Sequence, residues 1–240
     1  MNRRNSMNRQ DTMNRQNSMY RRASMNRRAS MNRLGAFAVA SLPLAGGPAF
    51  AAPLSIVDIG DSLTAGLGLP ASESFPSQLE ARLRRDGLDV RIVNAGVSGD
   101  TTAGGLARLD WALADKPGMV ILALGANDAL RGIEPAVVRA NLDKMIGRIR
   151  ASGAKLLLLG MLAPSNWGRQ YDQAFDRIYP DLAHAHNVPL YPFFLDGVAM
   201  NPNLNQPDGL HPNAKGVAVL VDRIAPVVAK LAAGLPGAKS

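Results

Sequence analysis

Short apolar runs alternate with amphipathic stretches from Leu54 onward, and this alternation restricts the possible folds of the chain more than any other feature. It is typical of βαβ units that build a mainly parallel sheet. Five strands are predicted, over residues 54–59, 90–94, 119–124, 155–160 and 188–191. Helices are predicted over residues 73–85, 102–114, 138–149, 171–186 and 217–231, with Pro226 expected to kink or end the last one.

The predicted architecture is an α/β fold, a three-layer α/β/α sandwich around a five-stranded parallel sheet. The simplest strand order is 2-1-3-4-5, as in flavodoxin-like folds. Ligands of such sheets bind at the carboxyl ends of the strands, so the residues that follow each strand are the candidates for function.

Residues 1–33 hold all of the chain's net charge. They contain nine Arg and one Asp, a balance of +8 that equals the +8 of the 240-residue chain, and 18 basic and 18 acidic residues follow from Leu34 onward. Six hexads, each of the form Met-(Asn/Tyr)-Arg-x-x-(Ser/Thr/Ala), start at Met1 and end with the hexad at Met31. A segment with so little to bury predicts a disordered, Arg-rich leader over residues 1–33.

Residues 34–52 have the pattern of a secretory signal peptide. An apolar run from Leu34 to Ala45 is followed by small residues and an A-x-A site, which predicts cleavage after Ala51 or Ala52 and a periplasmic or secreted protein. The run is too short to span a bilayer, so no stable membrane anchor is expected. The hexads are interpreted as an extended n-region, or as translated repeat DNA upstream of a start at Met31. The alternative is a basic arm for nucleic acid or lipid head groups, but cleavage would remove such an arm, so we expect no nucleic-acid partner.

Polar residues follow the first three predicted strands. Ser62 comes directly after the first strand in Gly-Asp-Ser, a position where a hydroxyl can act as a nucleophile if a base lies near. Gly99 lies in the loop after the second strand and Asn127 after the third. Taken singly, each motif is also an ordinary turn or helix cap.

His211 is the candidate base. Asp208 precedes it by three residues, close enough to accept a hydrogen bond from the imidazole and fix its tautomer. The other two histidines, His184 and His186, lie in a polar segment and are expected to be solvated. The chain has no Cys, which excludes a thiol nucleophile and a disulfide framework.

These motifs, in this order, resemble the SGNH or GDSL hydrolase superfamily, and within it the bacterial periplasmic acyl-CoA thioesterase, lysophospholipase and arylesterase branch. The resemblance extends from about Leu54 to about Leu231 and includes Gly-Gly-Leu-Ala-Arg-Leu at 104–109 and Asn-Asp-Ala-Leu-Arg-Gly at 127–132. It implies that residues 53–240 form an SGNH hydrolase domain. The implied catalytic residues are Ser62, Asp208 and His211, and the implied oxyanion hole consists of the backbone N–H groups of Ser62 and Gly99 and the side-chain amide of Asn127.

The predicted function is hydrolysis of carboxylic esters or thioesters, including aryl esters, acyl thioesters and lysophospholipids, through an acyl-enzyme on Ser62. A carbohydrate O-acetyl esterase would use the same residues, and a basic-arm nucleic-acid-binding protein is the non-enzymatic alternative. Ala163, Pro164, Phe193 and Phe194 are predicted to line an apolar substrate groove, although both Phe side chains suit the core equally well. No H-E-x-x-H or Walker motif occurs, so no metal and no cofactor are predicted. The expected partner is a small-molecule acyl ester or thioester, bound by a monomer.

Overall fold

The computed structural model describes residues 52–239. The predicted leader over residues 1–33 and the signal-peptide segment up to residue 51 lie outside the described residues. Within residues 52–239, no helix is long and apolar enough to cross a membrane.

Five parallel strands form one sheet with the order β2-β1-β3-β4-β5, as predicted. The strands are β1 (Leu54–Gly60), β2 (Val90–Gly96), β3 (Met119–Ala123), β4 (Lys155–Leu159) and β5 (Leu190–Tyr191). Nearly every residue of β1, β3 and β4 is buried, whichever side of the sheet it faces. Both faces of the sheet are therefore covered, as parallel sheets require.

Nine α-helices lie in the described part of the chain. They are α1 (Ser62–Ala65), α2 (Phe75–Arg85), α3 (Thr102–Ala107), α4 (Leu109–Leu113), α5 (Ala126–Leu130), α6 (Pro135–Ala151), α7 (Arg169–Asp176), α8 (Ile178–His186) and α9 (Ala214–Ala232). Helices α2 and α9 pack on each other beside β2, and α6 packs with α3, α7 and α8 beside β4. These two groups of helices, with the sheet, form the predicted three-layer sandwich.

Two predicted helices are each divided in the structure. The helix expected over 102–114 breaks at Arg108, where φ is −104° and ψ is 7°. The helix expected over 171–186 breaks between Asp176 and Ile178. Pro180 explains the second break, because proline has no N–H and its ring would collide with the carbonyl of residue 176 in a continuous helix.

Pro226 is predicted to kink or end the last helix, and the prediction that it ends the helix is wrong. Helix α9 continues to Ala232. Val228 and Ala232, beyond the proline, are fully buried, as are Ile224 and Ala225 before it. Packing on both sides of Pro226 therefore offsets the roughly 3 kcal/mol that an interior proline costs a helix.

Candidate active site

Ser62 lies at the carboxyl end of β1, where the strand turns into α1. Asp61 is the N-cap of α1, and its carboxylate accepts a hydrogen bond of 2.9 Å from the backbone N–H of Leu63. This cap fixes the turn, so the Ser62 side chain is presented at the sheet edge. Ser62 is only 9% exposed, and it lines a cavity at that edge.

The side chains of Ser62, His211 and Asp208 form a continuous hydrogen-bonded line. Ser62 Oγ lies 2.8 Å from His211 Nε2, and His211 Nδ1 lies 2.7 Å from Asp208 Oδ2. An ionised carboxylate can only accept, so Nδ1 carries the imidazole proton and Nε2 accepts from the Ser62 hydroxyl. This is the tautomer that a general base for Ser62 needs. The sheet brings Ser62 to a loop that lies 149 residues away in sequence.

Asp208 is held in its ionised form by the loop that carries it. The backbone N–H groups of His211 and Leu210 both donate to its Oδ1, at 3.0 and 2.9 Å. These two bonds, followed by the bond from the imidazole, lower the pKa of Asp208 to about 2. The carboxylate therefore stays charged at any pH at which His211 can act as a base.

The three predicted oxyanion donors lie around the same cavity. Gly99 and Asn127 line it together with Ser62. Within residues 52–239, neither the backbone N–H of Ser62 nor that of Gly99 donates a hydrogen bond, so both are available to a bound oxygen. Gly99 has a φ of +84°, a conformation that glycine adopts without strain, and the Arg131 guanidinium binds its carbonyl oxygen at 2.9 Å.

Asn127 is held by its own side chain and by the contacts of the next residue, Asp128. Its Nδ2 donates one hydrogen bond of 3.0 Å to the carbonyl of Asp100, and the amide also interacts with the carboxyl group of Asp61. The next residue, Asp128, is buried and accepts hydrogen bonds from the backbone N–H and the hydroxyl of Thr102, at 2.8 and 2.7 Å. Burial raises the pKa of Asp128, and the bonds from Thr102 oppose that rise.

Two buried carboxyl groups lie on β1 and in the turn that follows it. Burial raises the pKa of Asp61 to about 6, and the Leu63 N–H, the charge of His211 and the Asn127 amide oppose the rise. Burial also raises the pKa of Asp58 to about 8, against a hydrogen bond from the Thr64 hydroxyl. Each group keeps one buried carboxyl oxygen without a hydrogen-bond partner in the described structure.

The cavity beside Ser62 has a volume of about 570 Å³ and is mostly apolar. Its walls come from the segments that follow the five strands and from the loop that carries His211. The apolar side chains that line it are Leu63, Leu67, Ala126, Ala129, Leu130, Met161, Leu162, Ala163, Pro164, Phe193, Leu195, Ala199, Met200 and Leu210. Among residues 52–239, no group of three or more His, Cys, Asp or Glu side chains is arranged to hold a metal ion.

Three of the four predicted substrate-binding residues line this cavity, namely Ala163, Pro164 and Phe193. Phe194 does not, and its assignment to the groove is wrong. Its side chain is fully buried, with the ring edge-on to Phe75 at a centroid distance of 4.9 Å. The Phe194 N–H pairs with the Gly160 carbonyl at 2.8 Å just after β5 ends, where the chain enters a turn. The two neighbouring side chains therefore lie in different surroundings, Phe193 in the cavity wall and Phe194 in the core.

Sequence reasoning missed several residues at the cavity mouth. Leu67, Met200 and Leu210 line the cavity and are 46%, 91% and 52% exposed. They lie in irregular segments without an apolar period, so no sequence pattern distinguished them. Trp167, in the segment after β4, was also missed. Its indole N–H donates a hydrogen bond to the carbonyl of Ala129, a residue of the cavity wall.

Comparisons with known proteins agree with this geometry. Residues 59–219 match the GDSL-like Lipase/Acylhydrolase family. The chain is 44% identical to Esterase TesA of Pseudomonas aeruginosa over 182 residues, which are 75% of this chain and 90% of that protein. It is 42% identical to the Arylesterase of Vibrio mimicus, over 72% of this chain and 86% of that protein. It is 39% identical to the Thioesterase 1/protease 1/lysophospholipase L1 of Escherichia coli K12, over 73% of this chain and 83% of that protein.

Solved structures give the same result. The crystal structure of TesA matches with a TM-score of 0.71 at 44% identity and covers 74% of this chain and 99% of that one. The crystal structure of AlinE4, a SGNH-hydrolase family esterase, matches with a TM-score of 0.64 at 48% identity and covers 74% of this chain and 96% of that one. The resemblance, the fold and the enzyme class predicted from the sequence, a carboxylic ester hydrolase, are confirmed. The chain belongs to the GDSL-like Lipase/Acylhydrolase family.

Proposed function

We propose that the protein hydrolyses carboxylic esters and thioesters of apolar acyl chains through a covalent acyl-enzyme on Ser62. The observation that carries the proposal is the hydrogen-bonded line from Ser62 through His211 to Asp208, which opens into an apolar cavity. The comparisons support ester hydrolysis, and the role of each residue is inferred from the geometry.

Acylation begins at Ser62. His211 Nε2 takes the hydroxyl proton as Oγ attacks the acyl carbonyl carbon, and a tetrahedral intermediate with one negative oxygen forms. Asp208, ionised and bonded to Nδ1, stabilises the imidazolium that results. His211 then gives its proton to the leaving alcohol or thiol as the bond to the acyl carbon breaks.

The developing oxyanion is stabilised by the N–H groups of Ser62, Gly99 and Asn127. Each such donor contributes several kcal/mol when it is fixed before the reaction in a site that excludes water. Rigidity is provided by the contacts of Asn127 with Asp100, and of Arg131 with the Gly99 carbonyl.

Deacylation repeats these steps with water. His211 takes a proton from the water as it attacks the acyl-enzyme carbonyl, the same three donors hold the oxyanion, and Ser62 leaves with the proton that His211 returns. The net reaction consumes one ester or thioester and one water and releases an acid and an alcohol or thiol.

The cavity favours acyl chains of medium or greater length. Its lining beyond Ser62 is apolar, and Leu130 and Leu162 extend the apolar surface to the mouth, where they are 48% and 47% exposed. Each methylene buried there contributes about 0.8 kcal/mol. We therefore propose aryl esters, acyl thioesters and lysophospholipids as substrates, in keeping with the names of the relatives.

A series of p-nitrophenyl esters from acetate to palmitate tests this function. We expect the highest kcat/KM with medium or long chains, and loss of turnover in Ser62→Ala. Ser165→Ala is a matched control, because Ser165 is an exposed serine close to the cavity segments and should retain full activity. Equal rates for Ser62→Ala and the parent would refute the nucleophile. Hydrolysis confined to acetate, together with activity on acetylated sugars, would instead favour a carbohydrate O-acetyl esterase.

We also propose that the protein is exported to the periplasm or secreted as a monomer after cleavage following Ala51 or Ala52. The basis is the sequence pattern of residues 34–52 and the concentration of positive charge before Leu34. The exported form should focus near neutral pH instead of near the sequence pI of about 10.3. A strongly basic band on isoelectric focusing would show that the Arg-rich leader is retained, and would favour the basic arm for nucleic acid or lipid head groups.

A further inference from the structure

Two segments contribute to the wall of the cavity beside Ser62. The β3 loop, residues 124–134, which includes helix α5, contributes Ala129 and Leu130, and the β4 loop, residues 160–168, contributes Leu162 and Ala163. The β3 loop also carries Asn127. The width of the cavity therefore depends on how these two loops are held relative to each other.

A row of four aromatic side chains, Trp167, Tyr171, Phe175 and Tyr179, lies behind the β3 loop. The residues are spaced by four positions, and neighbouring ring centroids are 6.0 to 6.2 Å apart. Three members donate hydrogen bonds to backbone carbonyls of the β3 loop. Tyr179 donates to Leu124 at 2.9 Å, Trp167 to Ala129 at 2.7 Å, and Tyr171 to Ile133 at 2.9 Å.

Trp167 is the member that joins the two loops directly. It belongs to the β4 loop, and its indole N–H is bonded to the β3 loop at Ala129, a residue of the cavity wall. Its ring lies against Gly132, where a Cβ atom would come within 2.9 Å of the indole. Only glycine permits this approach, so the contact requires glycine at position 132 as well as Trp167. Trp167 does not line the cavity, and it is 46% exposed.

We propose that Trp167 is a positioning residue that determines acyl-chain specificity by holding the β3 loop against the β4 loop. The clasp is the contact of Trp167 with Ala129 and Gly132. The proposal rests on the esterase function above and deepens it. An acetyl group needs only the space beside Ser62 and the oxyanion donors, whereas an octanoyl chain must extend between the clasped loops. Loss of the clasp lets the wall move outward, and the longer chain loses its close contacts.

The oxyanion donor is anchored independently of the clasp. Asp128, next to Asn127, is bonded twice to Thr102, and Tyr179 holds the start of the β3 loop at Leu124. Removing Trp167 leaves these bonds intact. A Trp167 variant should therefore retain its rate on acetate while its chain-length profile changes, a separation that a general loss of stability would not produce.

The test compares kcat and KM for p-nitrophenyl acetate and octanoate in Trp167→Ala, Trp167→Phe and Trp111→Ala. Trp111 is the only other tryptophan of the chain, it is 70% exposed on α4, and it does not line the cavity, so it is the matched control. We expect the octanoate-to-acetate ratio of kcat/KM to fall on the order of tenfold in Trp167→Ala, chiefly through KM for octanoate. Trp167→Phe keeps a ring but loses the N–H, and its ratio should fall about threefold, as loss of one hydrogen bond implies.

The control variant should keep the parent ratio. A ratio within about twofold of the parent in both Trp167 variants would overturn the proposal, even if their overall activity falls. If Trp167→Ala does not fold, Trp167→Phe alone decides between these results. Failure of the proposed function is distinguishable, because the parent protein would then hydrolyse neither ester.

Discussion

The free energy of unfolding of Asp58→Asn should increase relative to that of the parent as the pH rises. Asp58 lies in the middle of β1 and has no exposed surface, and within residues 52–239 the only hydrogen bond of its carboxyl group is a long one of 3.4 Å from the Thr64 hydroxyl. Burial raises its pKa from 3.8 to about 8. Between these two values the folded protein keeps a proton on Asp58 that the unfolded chain releases.

The sign follows from proton linkage. Because the folded state binds more protons, the free energy of unfolding falls as the pH rises from about 4 to about 8, by about 1.4 kcal/mol per pH unit. Above about pH 8 both states are ionised, and this contribution no longer changes. Asn keeps the shape of the side chain and an acceptor for Thr64 but does not titrate, so it removes this dependence.

Urea unfolding at about pH 4.5 and about pH 7.5 measures the effect. The difference in unfolding free energy between Asp58→Asn and the parent should increase by about 4 kcal/mol over this range. Asp115→Asn is the matched control, because Asp115 is exposed, and its difference from the parent should be nearly constant. If the Asp58→Asn and parent curves run parallel, Asp58 is ionised in the folded protein and the reasoning is refuted.

Two further predictions concern the reaction. Asn127→Ala should lower kcat by about 10²- to 10³-fold with little change in KM, because the lost donor acts on the oxyanion; a change confined to KM in steady-state assays would contradict that role. Asp208→Asn should lower kcat on the order of 10⁴-fold, because the His211 tautomer is no longer fixed. Steady-state rates within tenfold of the parent would contradict this role of Asp208.

The parts of the site that follow strand ends could be predicted from the sequence. Ser62, Gly99 and Asn127 each lie in the segment that follows a predicted strand, and the 2-1-3 order places those three strand ends side by side. The pair Asp208 and His211 is local, so its spacing alone gave the contact. The resemblance then linked that pair to Ser62, and the contact of 2.8 Å in the structure agrees with it.

The remaining features depend on tertiary contacts that no local pattern records. Phe193 and Phe194 are chemically identical, and only the turn that follows β5 places one in the cavity wall and the other in the core. Trp167 precedes helix α7, and its role follows from a contact with a carbonyl 38 residues earlier. Helix α9 continues through Pro226 because of packing that the proline itself does not predict.

Ser62 as the nucleophile is the central assignment of the proposed mechanism. An alkyl fluorophosphonate, which transfers its phosphonyl group to an activated serine, tests this directly when the protein is digested and its peptides are analysed by mass spectrometry. We expect one equivalent of adduct on the peptide that contains Ser62, and no labelling of Ser62→Ala or His211→Ala. An adduct on another residue, or equal labelling of Ser62→Ala, would contradict the assignment of Ser62 as the nucleophile.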